Sequence, residues 1–123
     1  MRFLCLAYEE EQTLNSLSRQ EWTALRNETL DYVGSLQAEG RLLAAEPLQS
    51  ARTAKTVRVR NGQTTATDGP FAETKEQLGG FFLIEASDYD EAVRIASAWP
   101  SARIGAIEVR PLEEGLPEDS RYR

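Results

Sequence analysis

Apolar residues fall in short runs along the chain, separated by amphipathic and polar stretches. The first run, residues 2–8 (RFLCLAY), alternates so that Phe3, Cys5 and Ala7 share one side and Leu4, Leu6 and Tyr8 the other. Both sides are apolar, which predicts a strand that needs cover on both faces. Residues 9–17 are acidic and polar and read as a loop. Ser18-Arg19-Gln20-Glu21 has the form of a capping box, in which the serine hydroxyl accepts an orphan backbone N–H and the glutamate accepts the N–H of the cap residue. The spacing then predicts a helix to Glu39, with Trp22, Leu25, Thr29, Tyr32, Val33 and Leu36 on its inner face and Gly40 as a left-handed stop.

Residues 42–47 (LLAAEP) predict a second strand closed by Pro47. Residues 55–60 (KTVRVR) alternate, with Val57 and Val59 inward and Arg58 and Arg60 outward. Asn61-Gly62 predicts a tight hairpin turn, because both residues accept positive φ, and Thr64 to Thr67 form the returning strand. Asp68-Gly69-Pro70-Phe71 breaks the alternation. Residues 72–78 predict a short helical turn ended by Gly79-Gly80. Residues 81–86 (FFLIEA) are apolar on both sides and predict a central strand. Asp88-Tyr89-Asp90-Glu91 opens a second helix with another capping-box pattern; Ala92, Ile95, Ala96 and Trp99 face inward, and Pro100 stops it. Residues 104–110 supply the last strand.

Strand, helix, strand, hairpin, strand, helix, strand is the order of a ferredoxin-like α+β sandwich with an inserted β-hairpin. Residues 1–112 make the domain and residues 113–123 a charged tail. Both helices belong on one face of such a sheet. The opposite face is also apolar here and would be bare in a monomer. A homodimer with sheet laid against sheet covers it.

Composition removes whole classes of chemistry. The chain has 123 residues with one Cys and no His, so disulfide frameworks, histidine-ligated metals and His-dependent triads are excluded. No apolar run reaches the roughly 18 residues of a membrane span, and the start lacks the form of a signal peptide. The net charge of −6 disfavours a nucleic-acid or anionic-membrane partner. The charge is uneven: residues 41–67 carry 5 bases and 1 acid, while the segments on either side are acidic. That block is read either as a solvated hairpin or as a surface for an anionic ligand or an acidic partner subunit.

The most distinctive segment is residues 68–81, DGPFAETKEQLGGF. Asp68 has two open roles. It can cap the following turn, with Phe71 packed beneath, or it can place a carboxylate at a pocket mouth as acid, base or polar anchor. On this segment, together with the opening strand, Glu46-Pro47-Leu48, Thr56-Val57-Arg58-Val59 and Ile107-Glu108-Val109-Arg110-Pro111-Leu112, the chain resembles the DGPF-domain proteins of the YCII-related family. The resemblance implies a dimeric α/β-barrel-type ferredoxin-like fold in a bacterial, cytoplasmic protein, often encoded near extracytoplasmic-function sigma factors. Related members carry a His–Asp pair with a proposed catalytic part, and one relative looks like a dehydrochlorinase of chlorinated hydroxyhydroquinones. With no His in the chain, only Asp68 is carried over. The resulting expectation is a homodimer that binds a small organic ligand near the DGPF loop, with Asp68 as base in a proton transfer or elimination. The alternative is a non-enzymatic regulatory module of a sigma-factor circuit.

Other polar residues interrupt apolar strands. Glu46, Glu85 and Glu108 each do so, and Arg110 lies on the same side as Glu108. A buried carboxylate needs a partner, so a Glu108–Arg110 pair lining a cavity and simple exposure at strand ends are both open. Arg58 and Arg60 can clamp an anion or merely face water. Tyr8 can line a pocket or pack. Cys5 reads as a small buried hydrophobe, and Trp22 and Trp99 as core residues. Gly79-Gly80 precedes a strand and so is not a phosphate loop. No metal, purine or flavin signature is present, and no cofactor is expected.

Overall fold

The structure, a computed structural model, describes residues 1–114. In chain order the elements are β1 (Arg2–Glu9), α1 (Glu11–Asn15), α2 (Arg19–Ala38), β2 (Leu42–Pro47), β3 (Lys55–Arg60), β4 (Gln63–Asp68), β5 (Gln77–Glu85), α3 (Tyr89–Ser97) and β6 (Gly105–Pro111), with 3₁₀ turns at Ala51–Thr53 and Pro100–Arg103. Four strands form one antiparallel sheet in the order β2-β5-β1-β6. The two strands that are apolar on both sides, β1 and β5, take the centre. This is the ferredoxin-like arrangement, and β3–β4 is the inserted hairpin.

The core lies between the sheet and the two long helices. Phe3, Cys5, Phe82 and Ile84 point from β1 and β5 under α2 and α3 and are fully buried. Leu36, Ala92, Ile95, Ala96 and Trp99 close over them. Phe82 stacks on Trp99 with ring centroids 3.8 Å apart and planes 8° from parallel. The Tyr32 hydroxyl donates to the Ile95 carbonyl at 2.7 Å and so ties α2 to α3. Burial pushes the Cys5 thiol up to about 12, which leaves it an inert packing group.

Local signals act as their chemistry dictates. The Glu21 N–H donates to the Ser18 hydroxyl at 3.0 Å, and the Ser18 N–H donates to the Glu21 carboxylate at 2.9 Å. This completed box lowers the Glu21 pKa through its bonds to Ser18. Ser18→Ala should lower stability by about 1 kcal/mol in a urea melt, the usual effect of losing an N-cap. Asp88 caps α3 by accepting the Glu91 N–H at 2.8 Å, but here the glutamate reaches the N–H and hydroxyl of Ser87 instead of closing a box. Asn61 and Gly62 turn the hairpin at φ 52° and 75°.

Four expectations need correction. Residues 9–17 are not all loop: Glu11–Asn15 forms one helical turn, too short to leave a periodic signal. Residues 72–78 form no helix. The Gln77 side-chain amide donates to the Ala72 and Thr74 carbonyls at 2.9 and 3.0 Å, taking acceptors a helical turn would use, and β5 starts at Gln77 and runs through both glycines. Val57 and Val59 are 62% and 57% exposed, because the hairpin stands apart as its own two-stranded sheet. Trp22 is 48% exposed at the start of α2, whereas Trp99 is buried as expected. The tail lies outside the described residues from 115 onward.

Candidate functional site

Three surface depressions meet around the DGPF segment. The first, of about 470 Å³, opens where the end of β1, α1, the start of α2, the segment after β2 and the start of β5 converge. Its wall is apolar, from Leu14, Leu17, Trp22, Leu48 and Leu78, and Glu9 and Glu11 supply its carboxylates. The Leu48 N–H donates to the Gly79 carbonyl at 2.8 Å, and the Ala51 N–H donates to the Glu11 carboxylate at 3.2 Å. These two bonds fix the far wall against β5 and α1.

The second groove, of about 450 Å³, shares Glu11, Ala51 and Gln77 with the first and continues past them to Arg52, Asp68, Pro70 and Lys75. Asp68 is the last residue of β4, opposite Lys55 in the ladder, and its carboxylate accepts from the Lys55 ammonium at 2.6 Å. It is 84% exposed. It does not form the expected cap: the N–H that follows it, on Gly69, goes to the Ala54 carbonyl at 2.8 Å. Phe71 is not packed beneath the turn either. It is 82% exposed, with the Arg58 guanidinium 6.0 Å above its ring.

The third depression, shallow and about 680 Å³, is lined by Tyr8, Glu108 and Ala106 together with Thr74 and Lys75. Glu108 and Arg110 are ion-paired, but Arg110 is exposed and Glu108 only half-buried, so the structure takes the pairing from one reading of the strand pattern and the exposure from the other. Tyr8, Glu108 and Arg110 thus gather on the sheet face away from the helices, beside the half-buried Leu4, Leu6, Phe81 and Leu83. Asp68 and Arg58 do not join them; one pairs with Lys55 and the other lies over Phe71.

Glu9 is the site residue that the sequence pattern does not single out. It continues the parity of Phe3, Cys5 and Ala7, so a signal is present: a carboxylate on the helix-facing side of a strand. Burial first, and the charge of Glu11 second, raise its pKa above the ordinary glutamate value. The other half-buried carboxylates nearby have partners: Glu10 lies 3.8 Å from the Lys75 ammonium, and Glu11 holds the Ala51 N–H. Among the described residues the Glu9 carboxylate has no hydrogen-bond or ion-pair partner. Its place exists because position 79 is glycine. A Cβ there would collide with the Glu9 Oε1 and Cδ. Among the described residues no cluster of three His, Cys, Asp or Glu is arranged to hold a metal, and no helix is long and apolar enough to cross a membrane.

The chain has identifiable relatives. The family model of the YCII-related domain matches residues 1–115. An uncharacterized protein of Rhizobium meliloti (strain 1021) is 35% identical over 114 residues, which span 91% of this chain and 92% of that protein. Among solved structures, the 5-chloro-2-hydroxyhydroquinone dehydrochlorinase of Burkholderia phenoliruptrix AC1100, in complex with 2,5-dihydroxybenzoquinone, has a similar fold: TM-score 0.58, 19% identity, covering 95% of this chain and 98% of that one. A family match that spans all of the described residues, joined to a relative similar over about nine-tenths of both chains, places this chain in the YCII-related family.

Proposed function

We propose that this protein is a cytoplasmic homodimer that holds a small organic molecule in the groove beside the DGPF segment and acts on it by proton transfer leading to elimination. The observation that carries the reading is the groove itself. It offers apolar walls to strip water from a ligand's body and a few convergent polar groups to orient it. In an elimination a base takes a proton from one carbon, the released C–H electron pair becomes the new double bond, and the leaving group departs from the adjacent carbon with its bonding pair. Carboxylates at the groove can serve as the base, and Arg52 and Lys75 in the adjoining groove can meet a departing anion. The similar fold of a dehydrochlorinase that holds a dihydroxybenzoquinone supports this class of chemistry. In this reading Asp68, held by Lys55, marks the outer mouth. Loss of a base in contact with the reacting atoms would cost about a hundredfold or more in rate, whereas Asp68→Asn at a mouth position should cost less than about tenfold.

The homodimer covers the open face of the sheet. Leu4, Leu6, Phe81 and Leu83 lie on it with the Glu108–Arg110 pair at its edge. A two-fold partner presenting the same face removes that apolar surface from water. Tyr8, Glu108 and Arg110 then line the seam, while Arg58 belongs to the hairpin.

The ligand site is tested by mapping backbone amide shifts while a panel of hydroxylated aromatic fragments is added. Shifts should concentrate at Leu48, Ala51, Leu78 and Gly79. Saturable shifts that avoid this groove, or none for any fragment, would overturn the reading. The exposed hairpin favours a second reading, a regulatory interaction module: Val57 and Val59 lie open to solvent on the basic segment of an acidic chain, and Phe71, just beyond the hairpin, is open as well. Deleting the hairpin distinguishes the two, since the groove reading keeps ligand binding in the shortened chain.

A further inference from the structure

The unpartnered carboxylate in the first groove says what kind of ligand belongs there. A half-buried carboxylate with no donor from the protein keeps its acceptor capacity open toward the groove, because its partial desolvation is offset by no bond within the chain. Glu9 could turn outward to water, yet it lies along the backbone at Gly79, in a space that no other residue type would leave open. The apolar residues around it come from four separate segments: Leu14 in α1 with Leu17 just after it, Trp22 from α2, Leu48 after β2 and Leu78 from β5. Trp22 contributes an exposed aromatic surface at the groove, which suits a flat ligand. An anion would be repelled by Glu9 and by Glu11. Arg19, also at the groove, offsets part of that charge, so a cation is not demanded.

We propose that Glu9 is the ligand-contacting hydrogen-bond acceptor of this groove, and that the ligand is an uncharged, flat, hydroxylated molecule whose O–H donates to the Glu9 carboxylate. The inference rests on the groove being the ligand site and names the ligand class for it. The raised proton affinity of Glu9 fits the assignment. A carboxyl whose pKa is lifted by burial and by Glu11 is a stronger acceptor than an ordinary surface glutamate. The charged groups around it are Glu11 on α1, Arg19 on α2 and Glu10 in the short link between β1 and α1.

Hydroquinone is the probe, with benzoate and benzylamine as its anionic and cationic counterparts. Calorimetric titration of the full chain should show saturable hydroquinone binding, with benzoate and benzylamine at least about tenfold weaker. Glu9→Gln keeps the shape but weakens the acceptor and should lose about tenfold or more in affinity, the usual range for a hydrogen bond to a charged group. Gly79→Ala drives the intact Glu9 side chain out of its place and should lose as much, with the fold retained, because the clash is with the flexible end of a side chain. Hydroquinone binding to the unmodified chain should weaken as pH falls through the raised Glu9 pKa, and that dependence should vanish in Glu9→Gln. The melting temperature gives a control. A raised folded-state pKa makes the charged form a liability as pH rises through it, so Glu9→Gln should melt at the same temperature or higher at neutral pH.

Equal hydroquinone affinity and pH dependence in Glu9→Gln would overturn the role of Glu9. Preferred binding of benzylamine in the groove would overturn the uncharged class while leaving the groove standing. Shift mapping that places every bound fragment elsewhere would instead overturn the groove, and the inference with it.

Discussion

Phe82→Ala should lower the stability of the domain by about 3–5 kcal/mol, a large share of what a domain of this size possesses. Phe82 has no exposed surface, lies in a central strand and stacks directly on Trp99. Removing the ring empties the space between the sheet and α3 and leaves Trp99 without its stacking partner. The surroundings cannot collapse into the gap easily, because Phe3 and Ile84 are equally buried on the same face. Chemical denaturation followed by tryptophan fluorescence reads the loss. Phe82→Leu, which keeps most of the apolar bulk, should cost clearly less. A Phe82→Ala loss of under about 1 kcal/mol would mean that the helix-facing side of the sheet is not the core.

Leu83→Glu should have the opposite profile, with little effect on the fold and a large one on assembly. Leu83 is one residue further along β5 and so points to the other face, across from Leu4 on β1 and Ala44 on β2. In a two-fold seam the substitution places two carboxylates against apolar surface and near each other. Desolvation and like-charge repulsion together should cost several kcal/mol, enough to leave monomers of 13.8 kDa at micromolar concentration. Circular dichroism should remain that of the folded chain. Retention of a dimer's mass by the variant would place the proposed seam elsewhere.

These two neighbours illustrate what the sequence makes legible. Strict alternation along β1 and β5 separates two apolar faces by residue pattern alone, and the capping box at Ser18, the stop at Gly40 and the turn at Asn61-Gly62 mark element ends by local chemistry. The same alternation misleads in β3. It says that Val57 and Val59 share a side, but whether that side meets a core depends on where the hairpin travels, which is a property of the whole chain. Trp22 follows the helical stripe correctly, yet the stripe outruns the sheet it packs on, and the residue emerges at the rim of a groove.

The site is harder to read than the fold. The DGPF signature points to Asp68, and no local rule reveals that Lys55, 13 residues earlier, lies across the ladder and pairs with it. Glu9 does not stand out because it sits among acidic neighbours at the end of a strand, where a solvated loop is the ordinary reading. Its special place depends on Gly79, brought beside it only when β5 pairs with β1. The length of α1 also hides part of the site: a single turn gives no periodicity, yet it supplies Leu14 and Glu11 to the groove wall.

In the proposed assembly the two faces of one sheet carry separate tasks: one folds the chain against its helices, the other would join two chains, and the proposed ligand groove opens at the end where β1 and β5 meet the loops. Sedimentation equilibrium of the unmodified chain at micromolar concentration tests that division most directly. A mass of twice 13.8 kDa is the predicted result. A stable species of 13.8 kDa, whose open face takes up no partner as concentration rises, would contradict it.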